Sequence, residues 1–213
     1  MTPTRWRRAA LIALALLLPT PQVLLGFIAA SIESDANASV SISVAFDALL
    51  RDSVSAGVMT PVEQYAVWEN GRIYTYTRVH IDNAVAGELG TGAEAWVVNA
   101  GGTLDKVTQW VDGEAILAIG TPSLLFIRPD PKFPGLYMVT SRGQGQYTVA
   151  VNQKTQTQTL AIGGGQGMVL PPPPAANQAN KTTPVLARDA IHGHPLDETI
   201  RTVAAAWGRL HAK

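Results

Sequence analysis

The chain of 213 residues contains no cysteine. That excludes disulfide staples, cysteine nucleophiles and cysteine-held zinc. Histidine is scarce, with four residues. His192 and His194 stand close together in a glycine- and proline-rich segment without a placed third ligand, which a protein zinc site needs. No H-E-x-x-H occurs, so a zincin is excluded. Neither Ser123 nor Ser141 lies in G-x-S-x-G. Gly143 and Gly145 lack the third glycine of a dinucleotide loop, and no Lys-Ser/Thr follows Gly163–Gly167. Glu69, Asp112, Glu114 and Asp130 fall in turns, where acids are favoured for conformational reasons, and nothing selects a carboxylate pair among them. Charged residues make up 15% of the chain and the net charge is zero, so no basic surface suggests nucleic acid. These absences predict a protein that is not an enzyme and carries no metal or cofactor.

What is present begins with an export pattern. Arg5, Arg7 and Arg8 precede an apolar run from Ala9 to Leu18. Pro19, Pro21, a second apolar stretch over 23–30 and Ala36-Asn37-Ala38 follow. This is the order of a secretory signal. It predicts a signal peptide over residues 1–38, cut after Ala38 (or after Ala29-Ala30), and a secreted or periplasmic product. The competing expectation is an uncleaved anchor, because residues 9–30 approach the length of a membrane span. Two prolines and Gln22 interrupt them, and no cysteine offers a lipid attachment point.

The most informative stretch is WENGRIYTYTRVHI, residues 68–81. Asn70-Gly71 is the favoured centre of a type I′ turn, because both residues tolerate positive φ. Behind it Ile73, Thr75, Thr77, Val79 and Ile81 alternate with Tyr74, Tyr76, Arg78, His80 and Asp82, the period of a strand. The β-branched side is expected to face a core. Val62, Gln64, Ala66 and Trp68 can run antiparallel to it, with Pro61 marking an edge or a bulge.

Other elements follow by the same reasoning. Residues 39–45 (SVSISVA) alternate Val40, Ile42 and Val44, and read as a first strand. Residues 46–52 (FDALLRD) read as a short helix burying Phe46, Leu49 and Leu50. Strands are expected over 93–99, 114–118 and 121–127, with a second I′-type turn at Asp112-Gly113. Residues 128–135 hold three prolines and must be loop. Segments 136–140 and 146–151 are expected to form a hairpin around Gly143 and Gly145, and 155–162 one more strand. Residues 163–194 read as a Gly/Pro-rich linker. After Pro195, Leu196, Ile200, Val203, Trp207 and Leu210 recur at helical spacing, with acids in the first turn and bases at the end. This amphipathic helix over 195–213 is expected to dock on the domain or on a partner. The expected fold is mainly β: a small OB-like antiparallel β-barrel over 39–162, with a short N-terminal helix and a C-terminal helix beyond the linker.

From Phe46 to Val151 the chain resembles an uncharacterised domain of exported bacterial proteins. The likeness is carried by FDALL, SAGVMTPVEQ, YTYTRVHI, VAGELG, VVNAGGTLDKVTQWVDGEA, GTPSLLFI and YMVTSRGQGQYTV. It covers about half of the chain. That family is found beside predicted metalloproteases in some genomes, so the resemblance implies a protein partner, with a protease as one class. The strand order also resembles the OB-type barrel of netrin-like domains, which include tissue inhibitors of metalloproteinases. Those depend on a cysteine-held N-terminus, which this chain lacks, so the likeness is one of architecture.

Two surfaces are candidates for binding. One is the aromatic-basic stripe Tyr74, Tyr76, Arg78 and His80. The other is a rim formed by residues 109–114 (QWVDGE) and 142–147 (RGQGQY), where Gln109, Arg142, Gln144, Gln146 and Tyr147 would project from loops, as OB-type barrels bind through loops. The expected function is an exported, non-enzymatic module that binds a protein partner. The alternative is an envelope-anchored structural protein, which touches a membrane only if the N-terminal segment is uncleaved.

Overall fold

The computed structural model describes residues 40–165, 167–172 and 184–212. The expected signal peptide, and the linker from 173 to 183, lie outside the described residues. The elements in chain order are β1 (Ser41–Ile42), α1 (Phe46–Arg51), β2 (Ser55–Glu69), β3 (Arg72–Gly87), β4 (Glu94–Ala100), β5 (Gly102–Leu104) and β6 (Val107–Gln109). Then come β7 (Ser123–Pro129), β8 (Tyr137–Val139), a 3₁₀ turn (Arg142–Gly145), β9 (Gln146–Val151), β10 (Gln158–Ile162), β11 (Val169–Leu170), α2 (Ala187–Ile191) and α3 (Leu196–His211).

Asn70 and Gly71 have φ of 51° and 77°, which makes the β2–β3 connection the type I′ turn its sequence demands. The turn fixes the register, with Glu69 opposite Arg72 and Tyr65 opposite Tyr76. That register sends Ile73, Thr77, Val79 and Ile81 inward, where all four are buried. The strand pairing shifts register between Pro61 and Glu63, so the proline sits at a bulge, the position that tolerates a missing donor.

Strands β2, β3, β4, β8 and β7 form a closed five-stranded barrel, with β7 returning to pair with β2. Four of its contacts are antiparallel. The fifth, β4 to β8, is parallel. This is the Greek-key order of an OB-type barrel. Its interior is a cluster of Met59, Val79, Ile81, Val97, Leu125, Ile127 and Val139, plugged by Ala115 and Leu117.

A second core lies on the outer surface of the barrel. Val58, Leu124, Phe126 and Tyr147 form its sheet side. Phe46, Leu49 and Leu50 of α1, Ala187 and Ile191 of α2, and Leu196, Val203 and Ala206 of α3 cover it. β7 therefore reads as a continuous apolar run because it is buried on both faces. The C-terminal helix docks on this outer core with its expected apolar face inward, and leaves the tyrosine stripe alone.

Several expectations are corrected. Segments 136–140 and 146–151 do not pair with each other. β8 and β9 lie one after the other along β7, separated by the 3₁₀ turn. Gly145 serves close packing: a side chain there would collide with the Thr140 carbonyl. Asp112-Gly113 is not a type I′ turn, because only Gly113 has positive φ. The hairpin in that region is β5–β6, turning at Asp105-Lys106. Residues 114–118 form an extended strap rather than a strand. The first strand is shorter than expected, Ser41–Ile42: Val40 and Ile42 are exposed, Val44 packs against the outer core, and Ser43 is buried and donates its hydroxyl to Leu170 O at 3.0 Å. The 163–194 segment is not simply a linker. β11 pairs in parallel with β1, Leu186 bridges to Ala45, and α2 is part of the outer core.

Candidate functional site

The tyrosine stripe is on the outside of β3, where the alternation places it, but it is already occupied by the chain itself. Tyr65 stacks on Tyr76, with ring centroids 5.2 Å apart and planes 3° apart, as directly opposed aromatic residues do. Trp96 meets Tyr65 edge-on at 5.4 Å. The proline-rich loop after β7 folds over the other end, and Phe133 packs edge-on against Tyr74 and Tyr76. Lys132 lies 4.1 Å above the Tyr74 ring and donates to its hydroxyl at 2.9 Å. Arg78 is clamped between Glu63 at 2.8 Å and Glu94 at 2.6 Å. Burial, and next the Glu69 carboxylate, raise the Tyr76 phenol above its ordinary pKa. Tyr76 donates to Glu69 at 3.3 Å. His80 is half-buried on the same face. The stripe is a small outer packing cluster with satisfied charges.

The glutamines expected on a rim act instead as substitutes for backbone. Gln146 is buried; its amide accepts from Ile116 N at 2.8 Å and donates to Ile116 O at 2.5 Å, as a paired strand residue would. Gln144 treats the N-terminal segment in the same way, accepting from Val44 N and donating to Ile42 O, both at 2.9 Å. Gln109 accepts from Ile73 N at 2.6 Å. Arg142 donates to Glu114 at 2.6 Å and so ties the 3₁₀ turn to the strap. Tyr147 is not at a rim at all. Its ring is wholly buried, edge-on to Phe126, and burial pushes its phenol well above the ordinary range. Among the described residues its hydroxyl has no hydrogen-bond partner.

The structure places an open cleft at the mouth of the barrel, with a volume of about 540 Å³. That volume is within the usual range for small-ligand and side-chain pockets. Its walls are the far half of β2, the β5–β6 hairpin and the strap from Glu114 to Ala118. The strap crosses the barrel end because Gln146 holds Ile116 from below and Gln64 donates to Leu117 O at 3.2 Å. The lining is largely apolar, from Ala66, Trp110, Val111, Ile116 and Leu117. Trp110 is 68% exposed, an unusual position for so large an apolar side chain. Val62, Tyr65, Val67, Trp68 and Val107 on the same elements, and Ile119 just beyond the strap, are also exposed.

Polar groups converge within it. Asn99 donates to Glu114 at 3.4 Å, and Thr75 donates to Gly101 O at 2.6 Å. Gln64 donates to Thr77 at 2.9 Å as well as to the strap. Among the described residues no group of three or more His, Asp or Glu is arranged to hold a metal ion, and no helix is long and apolar enough to cross a membrane. Of the expected binding residues, Gln109 lines the cleft and Arg142 supports it through Glu114. Tyr74, Tyr76, Arg78, His80, Gln144 and Tyr147 lie elsewhere. The sequence points to the segment 109–114 that holds Trp110 but singles out Gln109 within it, and it gives no sign of Gln64 and Asn99. The signal for Trp110 was a tryptophan outside any alternating run, in a stretch bounded by glycine pairs and turns. No family model, no curated protein and no solved structure matches the chain.

Proposed function

We propose that this protein is an exported, non-enzymatic β-barrel module that binds a protein partner at the barrel-mouth cleft. The observation that carries this reading is the cluster of exposed apolar side chains around a preformed, mostly apolar cleft, headed by Trp110. Exposed apolar surface of this kind, with a few polar groups set into it, marks interaction sites rather than ordinary surface. Export rests on the N-terminal pattern of arginines, apolar run and Ala-x-Ala. A protease is the partner class that the family resemblance suggests.

A photoreactive amino acid placed at Trp110 in the full chain tests the reading in the producing cells. Crosslinks to a defined protein are expected from position 110 and not from Thr155, an exposed turn residue remote in sequence from the cleft-lining segments. Equal labelling from both positions would sink the proposal. A second reading, an envelope-anchored structural protein, is favoured by the apolar stretch 9–30. Mass spectrometry of the mature N-terminus separates the two: a first residue near Ser39 removes the anchor.

A further inference from the structure

β2 has two neighbours for only part of its length. Residues Ser55 to Met59 pair with both β3 and β7. At the Pro61 bulge the strand leaves β7 behind, and Gly120 N caps the Pro61 carbonyl at 2.8 Å. From Val62 to Glu69 the strand pairs with β3 alone. Among the described residues, no backbone group of this segment hydrogen-bonds to anything but β3. Its far edge is therefore a row of open donors and acceptors at strand spacing, and it forms one wall of the cleft. Exposed edges of this kind recruit another strand unless they are short, charged or covered.

Building on the cleft-binding reading above, we propose that an extended, uncharged segment of the partner adds to β2 as a further strand along Val62–Glu69. Strand addition of this type takes affinity from main-chain hydrogen bonds and specificity from alternate side chains. The two sides of the added strand would meet different surfaces. On the outer side stand Tyr65 and Val67, and on the cleft side Gln64, Ala66 and, across the gap, Trp110 and Ile116. Side-chain amide atoms with no partner among the described residues, Gln64 Oε1, Gln109 Nε2 and Asn99 Oδ1, supply a donor and acceptors of the kind a peptide backbone uses. The absence of charge in the partner segment follows from the lining, and the acids of the edge itself, Glu63 and Glu69, already meet Arg78 and the Tyr76 hydroxyl. Glu114 is the lining's one charged side chain, and Arg142 already neutralises it at 2.6 Å. A charged ligand group would be desolvated there without a counter-ion. The other expected surface, the tyrosine stripe, is closed by Phe133 and Lys132.

The test uses the mature full chain and a panel of blocked, uncharged hexapeptides that alternate Val, Leu, Phe or Tyr with Thr or Gln. A binder from the panel is expected to slow amide hydrogen exchange within residues 62–69 at least tenfold. It is then resynthesised with N-methyl groups on one alternate set of residues or on the other. One set should abolish binding and the other leave it intact, since only one set of amides faces β2. Trp110→Ala, a change at an exposed side chain, should weaken binding about tenfold without altering the melting curve. If both N-methyl sets bind equally, edge pairing is overturned while binding in the cleft stands. If no peptide in the panel binds, the proposal is overturned. A concentration-dependent dimer that protects residues 62–69 without any peptide also overturns it, because the occupant is then a second copy of the chain.

Discussion

From Ser55 to Met59, β2 lies between β3 and β7, and all five residues are buried. From Val62 to Glu69 it keeps β3 as its one strand neighbour among the described residues, and six of its eight residues are exposed. The two halves do not differ in apolar character, since the second contains Val62, Tyr65, Val67 and Trp68. They differ in how many strands flank them. The last of three register shifts in the β2–β3 pairing, at Pro61, marks where an apolar strand has lost its second neighbour. The near half is committed to stability, and the far half is left with unspent pairing capacity beside a cleft.

Truncations in the two halves should separate these roles. Met59→Ala removes a wholly buried side chain from the barrel interior and is expected to cost about 2–5 kcal/mol in denaturant unfolding. A loss below 1 kcal/mol would mean that the near half is not the committed one. Gln146→Ala removes both bonds that hold the strap at Ile116, where the backbone is part-buried, so a loss of about 1 kcal/mol is expected. Hydrogen exchange at the Ile116 amide should rise in step, and unchanged exchange there would show that the strap does not depend on Gln146.

Tyr147 lies on β9 beside the near half, opposite Leu124, which itself pairs with Val58. Its folded pKa is raised by burial, so the neutral form is the one the fold favours. Stability that depends on it is intact below the unfolded tyrosine pKa of about 10 and falls as pH rises above that value. Tyr147→Phe deletes an orphaned hydroxyl, so it should stabilise the protein by about 1 kcal/mol and flatten that alkaline decline. A destabilised variant would show that the hydroxyl has a partner. The smallest effect is expected at Val67→Ala, within about 0.5 kcal/mol, because the side chain is exposed and replaceable. A large loss at Val67 would close the comparison between the two halves.

Local rules made much of this fold legible. Asn70-Gly71 fixed a turn, the turn fixed a register, and the register sorted inward from outward residues on β3. The helical spacing of Leu196, Val203 and Trp207 was equally plain. Reading failed where pairing is non-local. Nothing near Gly143 and Gly145 says that β8 and β9 both lie along β7 rather than on each other. The binding residues were harder still. A glutamine that hydrogen-bonds a distant backbone looks, in sequence, like one that meets solvent, so the sequence suggests a rim position for Gln144 and Gln146. Tyr147 was misplaced for a similar reason, because a polar tip suggests exposure while its ring fills a core. Trp110 reveals its position only once Gln146 has pulled the strap across the barrel mouth.

The parallel pairing of β1 with β11 joins Ser41 to Val169, and the α1 residues Phe46, Leu49 and Leu50 are roofed by Val203 and Ala206. The first of the described strands and helices therefore find their partners far along the chain. As the polypeptide is made from its N-terminus, α1 can meet the sheet side of its core first, while its helical roof follows more than a hundred residues later. Such late closure is slow, since loop entropy is spent before the contacts repay it. The order of synthesis thus leaves a long interval in which the nascent protein is vulnerable, and only the arrival of the final helix ends it.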